Sequence, residues 1–251
     1  MISKSQLKLI RALGQKKQRK QLGKFLVQGE KNILELLNSN LDIEQVFASS
    51  TFLSQHKSVL KGISIEEANE AELSKASTLM SNNSAIAIVR QPAVSELKGS
   101  GKILVLDGVS DPGNLGTIIR LADWYGVVQV ICSEDCADIY NPKTISATMG
   151  SFARVNTLVT NIVEYLSNCN LPVYGAYLGG DSVHDCKFTT DMVLVMGSES
   201  HGIRDHISSL INNKITIPSF GHAESLNVAM AAGIILDNVV RQHAAKSQSK
   251  R

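Results

Sequence analysis

At 251 residues, 43% hydrophobic and 19% charged, the chain has the composition of a soluble globular protein with room for one or two cores. Its charged N-terminus argues against a signal peptide, and its longest apolar run, residues 228–236, is far short of the ~20 that a membrane span needs. The net charge of +2 is uneven: residues 1–31 hold nine Lys and Arg against Glu30 alone, a surplus of +8 that leaves −6 elsewhere and suits a polyanionic partner.

Residues 3 to about 13 read as a short helix, with Leu7, Ile10 and Leu13 on one side. In the basic run at 15–21, Lys16, Lys17, Arg19 and Lys20 have no acidic partners at helical spacing. That favours phosphate contacts over a merely solvated face. A strand at 24–28 is broken by Gly29, and a helix at 30–38 turns Ile33, Leu34 and Leu37 inward. A strand at 43–48, a helix from 51, a strand at 62–65, helical pieces over 66–80 and a buried strand at 85–89 follow. Strands alternating with helices predict an α/β sandwich. Residues 91–101 carry Pro, Gly and Ser without apolar periodicity and read as a connector. The expected organisation is a domain at 1–93, a linker at 94–101 and a second domain at 102–245.

The second half opens on a short apolar run at 102–106, as a central parallel strand should. Pro112-Gly113 turns it into a helix at 114–125 that carries Arg120. Further strands are expected at 127–131, 173–178, 192–196 and 214–217, with residues 152–155 extended. Helices are expected at 142–149, 161–169, 204–211 and 225–241. Ser225 reads as the cap of the last helix, whose Val228, Ala232, Ile235 and Val239 are spaced to fill a core face. Cys132, Cys136, Cys169 and Cys186 form no C-x-x-C pair, and the six histidines show no ligand spacing with them. Free thiols, no metal and a cytoplasmic location are therefore expected.

Three β-runs empty into Gly-bearing polar loops. One holds Asn114, Gly116 and Arg120, the next Gly197, Glu199 and Gly202, and the last Ile217-Pro218 followed by Ser225, Leu226, Asn227 and Val228. None carries G-x-G-x-x-G or a P-loop Gly-Lys-[Ser/Thr], which argues against a Rossmann dehydrogenase or a kinase. Together they resemble the Asn-x-Gly-x-x-x-Arg, Gly-x-Glu-x-x-Gly and Ile-Pro…Ser-Leu-Asn-Val motifs of the SpoU (TrmH-type) RNA ribose methyltransferases of the SPOUT class. In the first half, the basic segment and Phe25-Leu-Val-Gln-Gly-Glu30 resemble the small L30e-like substrate-binding domain that precedes the catalytic domain in many members.

The resemblance implies a parallel sheet whose C-terminal segment threads a loop to form a trefoil knot, and a homodimer whose site is completed across the interface. It implies S-adenosylmethionine as methyl donor and a ribose 2′-hydroxyl as acceptor, in rRNA ahead of tRNA. A non-catalytic RNA-binding protein of the same fold would need a spoiled cofactor loop, and none is visible. A base-methylating enzyme fits the Asn-x-Gly-x-x-x-Arg and Ser-Leu-Asn pattern less well.

A ribose hydroxyl is a poor nucleophile, so the chemistry needs in-line positioning and the handling of one proton. By the resemblance, the adenine lies among main-chain groups at Gly197, Ile217 and Leu226, with Tyr177 and Leu178 contributing. Glycine suits position 197 if the backbone approaches the ligand closely. Arg120 is implied near the 2′-hydroxyl, as proton acceptor or as the group that orients a phosphate. An arginine holds its proton firmly, so the second role is at least as reasonable. Asn114, Ser225 and Asn227 either orient Arg120 and the substrate or cap helices, and Glu199 positions a loop or the ribose or is a plain surface acid. Residues 146–154 resemble the family's Arg-Ala-Ser-x-Gly-x-x-x-Arg, with Ser146 where Arg is common and Arg154 retained as an RNA contact.

Overall fold

The computed structural model describes residues 1–60, 62–79 and 82–248. By contacts the chain falls into two units, Met1–Val94 with Asp138–Arg154, and Ser95–Ala137 with the chain from Val155 onward.

The first unit runs α1 (Lys4–Ala12), α2 (Lys16–Leu22), β1 (Lys24–Gln28), α3 (Glu30–Leu37), β2 (Ile43–Ala48), α4 (Ser50–Gln55), β3 (Ile65–Glu67), α5 (Glu70–Ala76) and β4 (Ala85–Arg90). The sheet order is β1-β4-β2-β3, antiparallel except for β2 against β3. Alternation along each strand sorts side chains onto two faces. Phe25, Val27, Val46, Ala48, Ala85, Ala87 and Val89 join Ile33, Leu36 and Phe52 in one core. Leu26, Phe47, Ile86 and Ile88 join Ile10, Leu13, Leu73 and Ala76 in the other. Helices cover both faces, giving the expected sandwich. The basic run forms its own helix, and the third strand starts at Ile65, after Gly62 has turned the chain at φ +82°. Met80, the expected end of the helical pieces, lies outside the described residues.

The second unit contributes β5 (Lys102–Asp107), α6 (Pro112–Trp124) and β6 (Gln129–Cys132). The chain then supplies α7 (Pro142–Thr148) and a 3-10 turn at Ser151–Ala153 to the first unit. It returns with β7 (Thr157–Val159), α8 (Ile162–Ser167), β8 (Val173–Ser182), β9 (Met192–Gly197), α9 (Asp205–Ser208), β10 (Asn213–Thr216) and α10 (Val228–Gln248). Six strands in the order β10-β8-β9-β5-β6-β7 pair in parallel throughout. One core gathers Ile103, Val105, Val193 and Val195 of the sheet with Ile162, Leu166 and Ile207 of α8 and α9. Between the pairs Lys214–Gly175 and Ile215–Asp181 the register of β8 against β10 shifts, so residues 176–180 stand out of the ladder.

Two expectations are corrected by the 138–154 segment. Residues 152–155 are not extended: Phe152 and Ala153 lie in the 3-10 turn and 154–155 follow it, with Phe152 and Tyr140 packed on the Phe25 ring at centroid distances of 6.3 and 4.8 Å. Arg19 is not a free cation for RNA. It is 2% exposed, donates from Nε to Asp138 Oδ2 at 2.9 Å and from Nη1 to the Leu13 carbonyl at 2.9 Å. A buried guanidinium needs a paired carboxylate, and Asp138 supplies it.

Candidate active site

In the second unit, the C-terminal ends of β5, β9 and β10 open into the three polar loops, where parallel α/β sheets hold their ligands. Asp111 caps α6 by accepting from Asn114 N at 2.8 Å, which sets Asn114 in the first turn. Asn114 Nδ2 then donates to Glu199 Oε1 of the loop after β9. Its Oδ1 accepts from Asn227 Nδ2 at 3.0 Å. Asn227 in turn uses its own Oδ1 to accept from Ala229 N at 2.9 Å and so caps α10. One residue from each loop is thus tied into a hydrogen-bonded run, Glu199–Asn114–Asn227.

That geometry corrects the reading of Ser225. The last helix starts at Val228, three residues later than the expected 225, and Ser225 is exposed in the loop before it. Both residue types cap helices; Asn227 takes the place because its amide also reaches Asn114. Glycine at 197 also answers to the packing of its own loop. A Cβ there would lie 2.1 Å from Gly202 C and 2.3 Å from Ile203 N, so the close approach is by the protein's own loop. Ser198 and Gly202 close that loop by exchanging backbone hydrogen bonds at 3.1 and 2.9 Å, with Gly202 at φ +65°.

Tyr177 and Leu178 lie within β8, in the out-of-register stretch. The Tyr177 hydroxyl is taken by Ser208 Oγ at 2.7 Å and its ring lies under Lys214 Nζ at 5.0 Å, so its side chain is structural. Leu178 is exposed, as are Phe220 and, by half, Leu226, while Ile217 is half-buried. Arg120 is exposed on α6 and makes no side-chain hydrogen bond or ion pair among the described residues. Six residues beyond Asn114, it faces about 120° away around the helix, so the chain does not bring it into the Glu199–Asn114–Asn227 run. In the first unit, Lys16, Lys17 and Lys20 are exposed on α2, and Arg154 Nη1 meets Glu35 Oε2 at 2.5 Å.

The sequence reading missed what holds the loops. Asp107, at the end of β5, has its side chain fully buried and accepts from Arg204 N at 2.9 Å and Arg204 Nε at 2.7 Å. Arg204 Nη1 also reaches Asp135 Oδ2 at 3.1 Å. The bond to Asp107 raises the Arg204 pKa above its ordinary value, and the Ser133 hydroxyl, followed by Arg204, lowers that of Asp135. The signal available was only an Asp ending a β-run. Beneath it, Cys136 Sγ lies 3.3 Å from the Leu106 carbonyl, and hydrogen bonding from Cys132 lowers the Cys136 thiol to about 7.

Exposed apolar side chains at Leu178, Phe220 and Leu226 beside hydrogen-bonding loops fit a ligand with an apolar ring and polar edges. Among the described residues no group of three His, Cys, Asp or Glu is placed to hold a metal, and no helix is long and apolar enough to cross a membrane.

Residues 101–237 match the profile of the SpoU rRNA Methylase family, and residues 4–87 that of the MRM3-like substrate binding domain. The chain is similar to the Bacillus subtilis protein named 23S rRNA (guanosine(2553)-2′-O)-methyltransferase RlmP, with 29% identity over 88% of this chain and 90% of that one. Its fold is similar to the structure of a TrmH-family protein from Porphyromonas gingivalis, at TM-score 0.88 and 33% identity over 96% and 99% of the two chains. An AdoMet-bound rRNA methyltransferase from Sinorhizobium meliloti superposes at TM-score 0.84 with 29% identity over 97% of each chain.

Proposed function

The chain belongs to the SpoU rRNA methylase family, and from that premise we propose that it transfers a methyl group from S-adenosylmethionine to a ribose 2′-hydroxyl of rRNA. The observation that carries the reading is the hydrogen-bonded run through Glu199, Asn114 and Asn227, which draws all three motif loops to one place at the ends of the parallel strands. S-adenosylmethionine supplies a methyl already activated by its sulfonium. The protein's share is then to hold the acceptor in line and to receive or shield one proton.

The backbone at Gly197 and Ile217 and the half-exposed Leu226 would hold the cofactor's adenine, with Leu178 beside them. Asn114, clamped at both ends of its amide, is fixed in orientation and leaves Glu199 a second carboxylate oxygen to meet a ribose hydroxyl. Arg120 belongs to the acceptor's side of the reaction. Because its own chain leaves it exposed and turned from Asn114, it acts in the site of a second copy. α6 and α10, which pack on one another, expose Trp124 (82%) and Met230 (63%), apolar surface of the kind a homodimer covers. The same reading carries the trefoil knot, in which the C-terminal segment of the second unit threads a loop of that unit. Lys16, Lys17 and Lys20 are the RNA contacts of the first unit, with Arg154 as a further candidate.

The test is nucleoside mass spectrometry with position mapping on RNA from cells with and without the gene. One 2′-O-methylated rRNA nucleotide should vanish with the gene and return when purified protein and S-adenosylmethionine are added to unmethylated rRNA. A nucleotide lost from tRNA instead would move the substrate, and a methylated base would overturn the acceptor.

A further inference from the structure

The first unit holds a polar cavity outside the residues placed in methyl transfer. It is open, about 260 Å³, and is lined by the start of α3 with Leu79, Asn82, Ser84 and Ser146. Asn32, in the first turn of α3, is 5% exposed, and its Oδ1 has no hydrogen-bond partner. Its Nδ2 is committed to the Gln28 carbonyl at 3.4 Å. The neighbouring amides are satisfied. Gln28 donates to Thr78 Oγ1 at 2.7 Å and accepts from Ser77 Oγ and Thr78 N, while Asn82 donates to the Ala85 carbonyl at 2.9 Å and accepts from Ser84 N at 3.3 Å. Buried acceptors are nearly always paired, so Asn32 Oδ1 is a position for a donor that comes from outside the chain.

Beside it lies an uncapped helix start. The N-cap of α3 is Gly29, at φ +85°, with no side chain to close the end. The N–H groups of Glu30, Lys31 and Asn32 find no acceptor among the described residues. Three open donors at a helix N-terminus suit an anion, and the exposed Lys31 adds charge of the same sign. The Glu30 carboxylate, which would oppose an anion, is held on His56 Nε2 at 3.0 Å. The ligand that fits therefore presents anionic oxygens and, next to them, a hydroxyl donor. The cavity is below the ~300–1,000 Å³ of sites that enclose drug-sized ligands, so the bound part is small.

We propose that the start of α3 binds one RNA nucleotide, with the phosphate on the amides of residues 30–32 and the ribose 2′-hydroxyl donating to Asn32 Oδ1. The site would anchor the substrate and select RNA over DNA, since a deoxyribose lacks that donor. This rests on the RNA-substrate reading above.

The experiment measures the affinity of the full-length protein for a single-stranded rRNA fragment and its 2′-deoxy counterpart, by fluorescence anisotropy. Asn32→Asp, nearly isosteric, puts a negative charge beside the amides. It should weaken RNA binding about tenfold, the lower end of what hydrogen bonds to a charged group are worth. It should weaken DNA binding too, and leave the Kd for S-adenosylmethionine alone. Ser146→Leu, which narrows the cavity while leaving Asn32 itself unchanged, should lower RNA affinity in the same direction and decides the matter if Asn32→Asp fails to fold. The wild type's preference for RNA over DNA should shrink in Ser146→Leu. Variants whose affinities match the wild type's would mean that the cavity holds only water, and the proposal falls. Inorganic phosphate that protects the wild type thermally, at matched ionic strength, while RNA affinity stays unmoved in both variants would reassign the site to a free anion. A wild type that fails to methylate any rRNA sinks the functional reading instead.

Discussion

Arg120, on α6, and Arg204, at the end of the loop after β9, have surroundings that give them opposite tasks. Arg204 is locked by Asp107 and Asp135 and can only hold the loops after β5 and β9 together. Arg120 is exposed and commits its guanidinium to no residue described in its own chain. If it acts as the reaction proceeds, Arg120→Ala keeps cofactor binding and dimerisation and lowers kcat and kcat/KM together. A positioned group of this kind is worth about 10²–10⁴-fold, and Arg120→Lys should rescue poorly because a flexible point charge cannot replace the planar fork. The pH–rate profile separates its two roles. A profile that loses the limb reporting the base makes Arg120 the proton acceptor, and one that keeps its shape while the rate falls makes it the phosphate clamp. Normal turnover by Arg120→Ala would remove it from the mechanism altogether.

Among the elements, α2 carries four of the nine Lys and Arg in residues 1–31, but not all of them face water. Lys16, Lys17 and Lys20 are exposed, whereas Arg19 is turned inward onto Asp138. Replacing the three lysines by Ala should weaken RNA binding across sequences and flatten the log–log salt dependence by about 2, since each phosphate contact contributes about 0.7 to 0.9. An unchanged slope would leave these charges to solvent. The same helix shows what a sequence conceals. The strands β1, β2 and β4 were legible as short apolar runs, because burial of both faces makes Phe25 to Val27 and Ala85 to Val89 apolar without interruption. The three motif loops were legible too, since strand, glycine and polar residue occur in one short stretch each. Arg19 was not, because its partner lies 119 residues on. Nor was the Asp107–Arg204 lock, whose members are 97 residues apart. The choice of Asn227 over Ser225 as cap depends on Asn114, a contact that no local propensity encodes.

At the scale of the molecule, the chain's order and its units disagree, and that has a consequence for folding. Residues 138–154 follow β6 of the second unit yet complete the core of the first, where Ile145, Tyr140 and Phe152 cover the Phe25 face of the sheet. The same segment brings Asp138 to the buried Arg19. A chain of residues 1–94 alone would lose that cover and leave a guanidinium buried without its carboxylate. Large apolar side chains contribute about 1.5–3 kcal/mol each on burial, and breaking a buried ion pair costs about 3–5 kcal/mol. Against a typical net stability of about 5–15 kcal/mol, the sum is enough to unfold the fragment. Residues 1–94 should therefore show poor amide dispersion by NMR and no cooperative urea transition. Joining residues 138–154 to them through a flexible Gly/Ser linker should restore both. Arg19→Met separates the two losses: in residues 1–94 it removes the unpaired charge but not the missing cover and should restore a cooperative transition only in part, whereas in the fused chain it leaves Asp138 without its partner and should lower the urea midpoint. A fragment of 1–94 that unfolds cooperatively, and as late as the fused chain, would show that the inserted segment covers a core already complete without it.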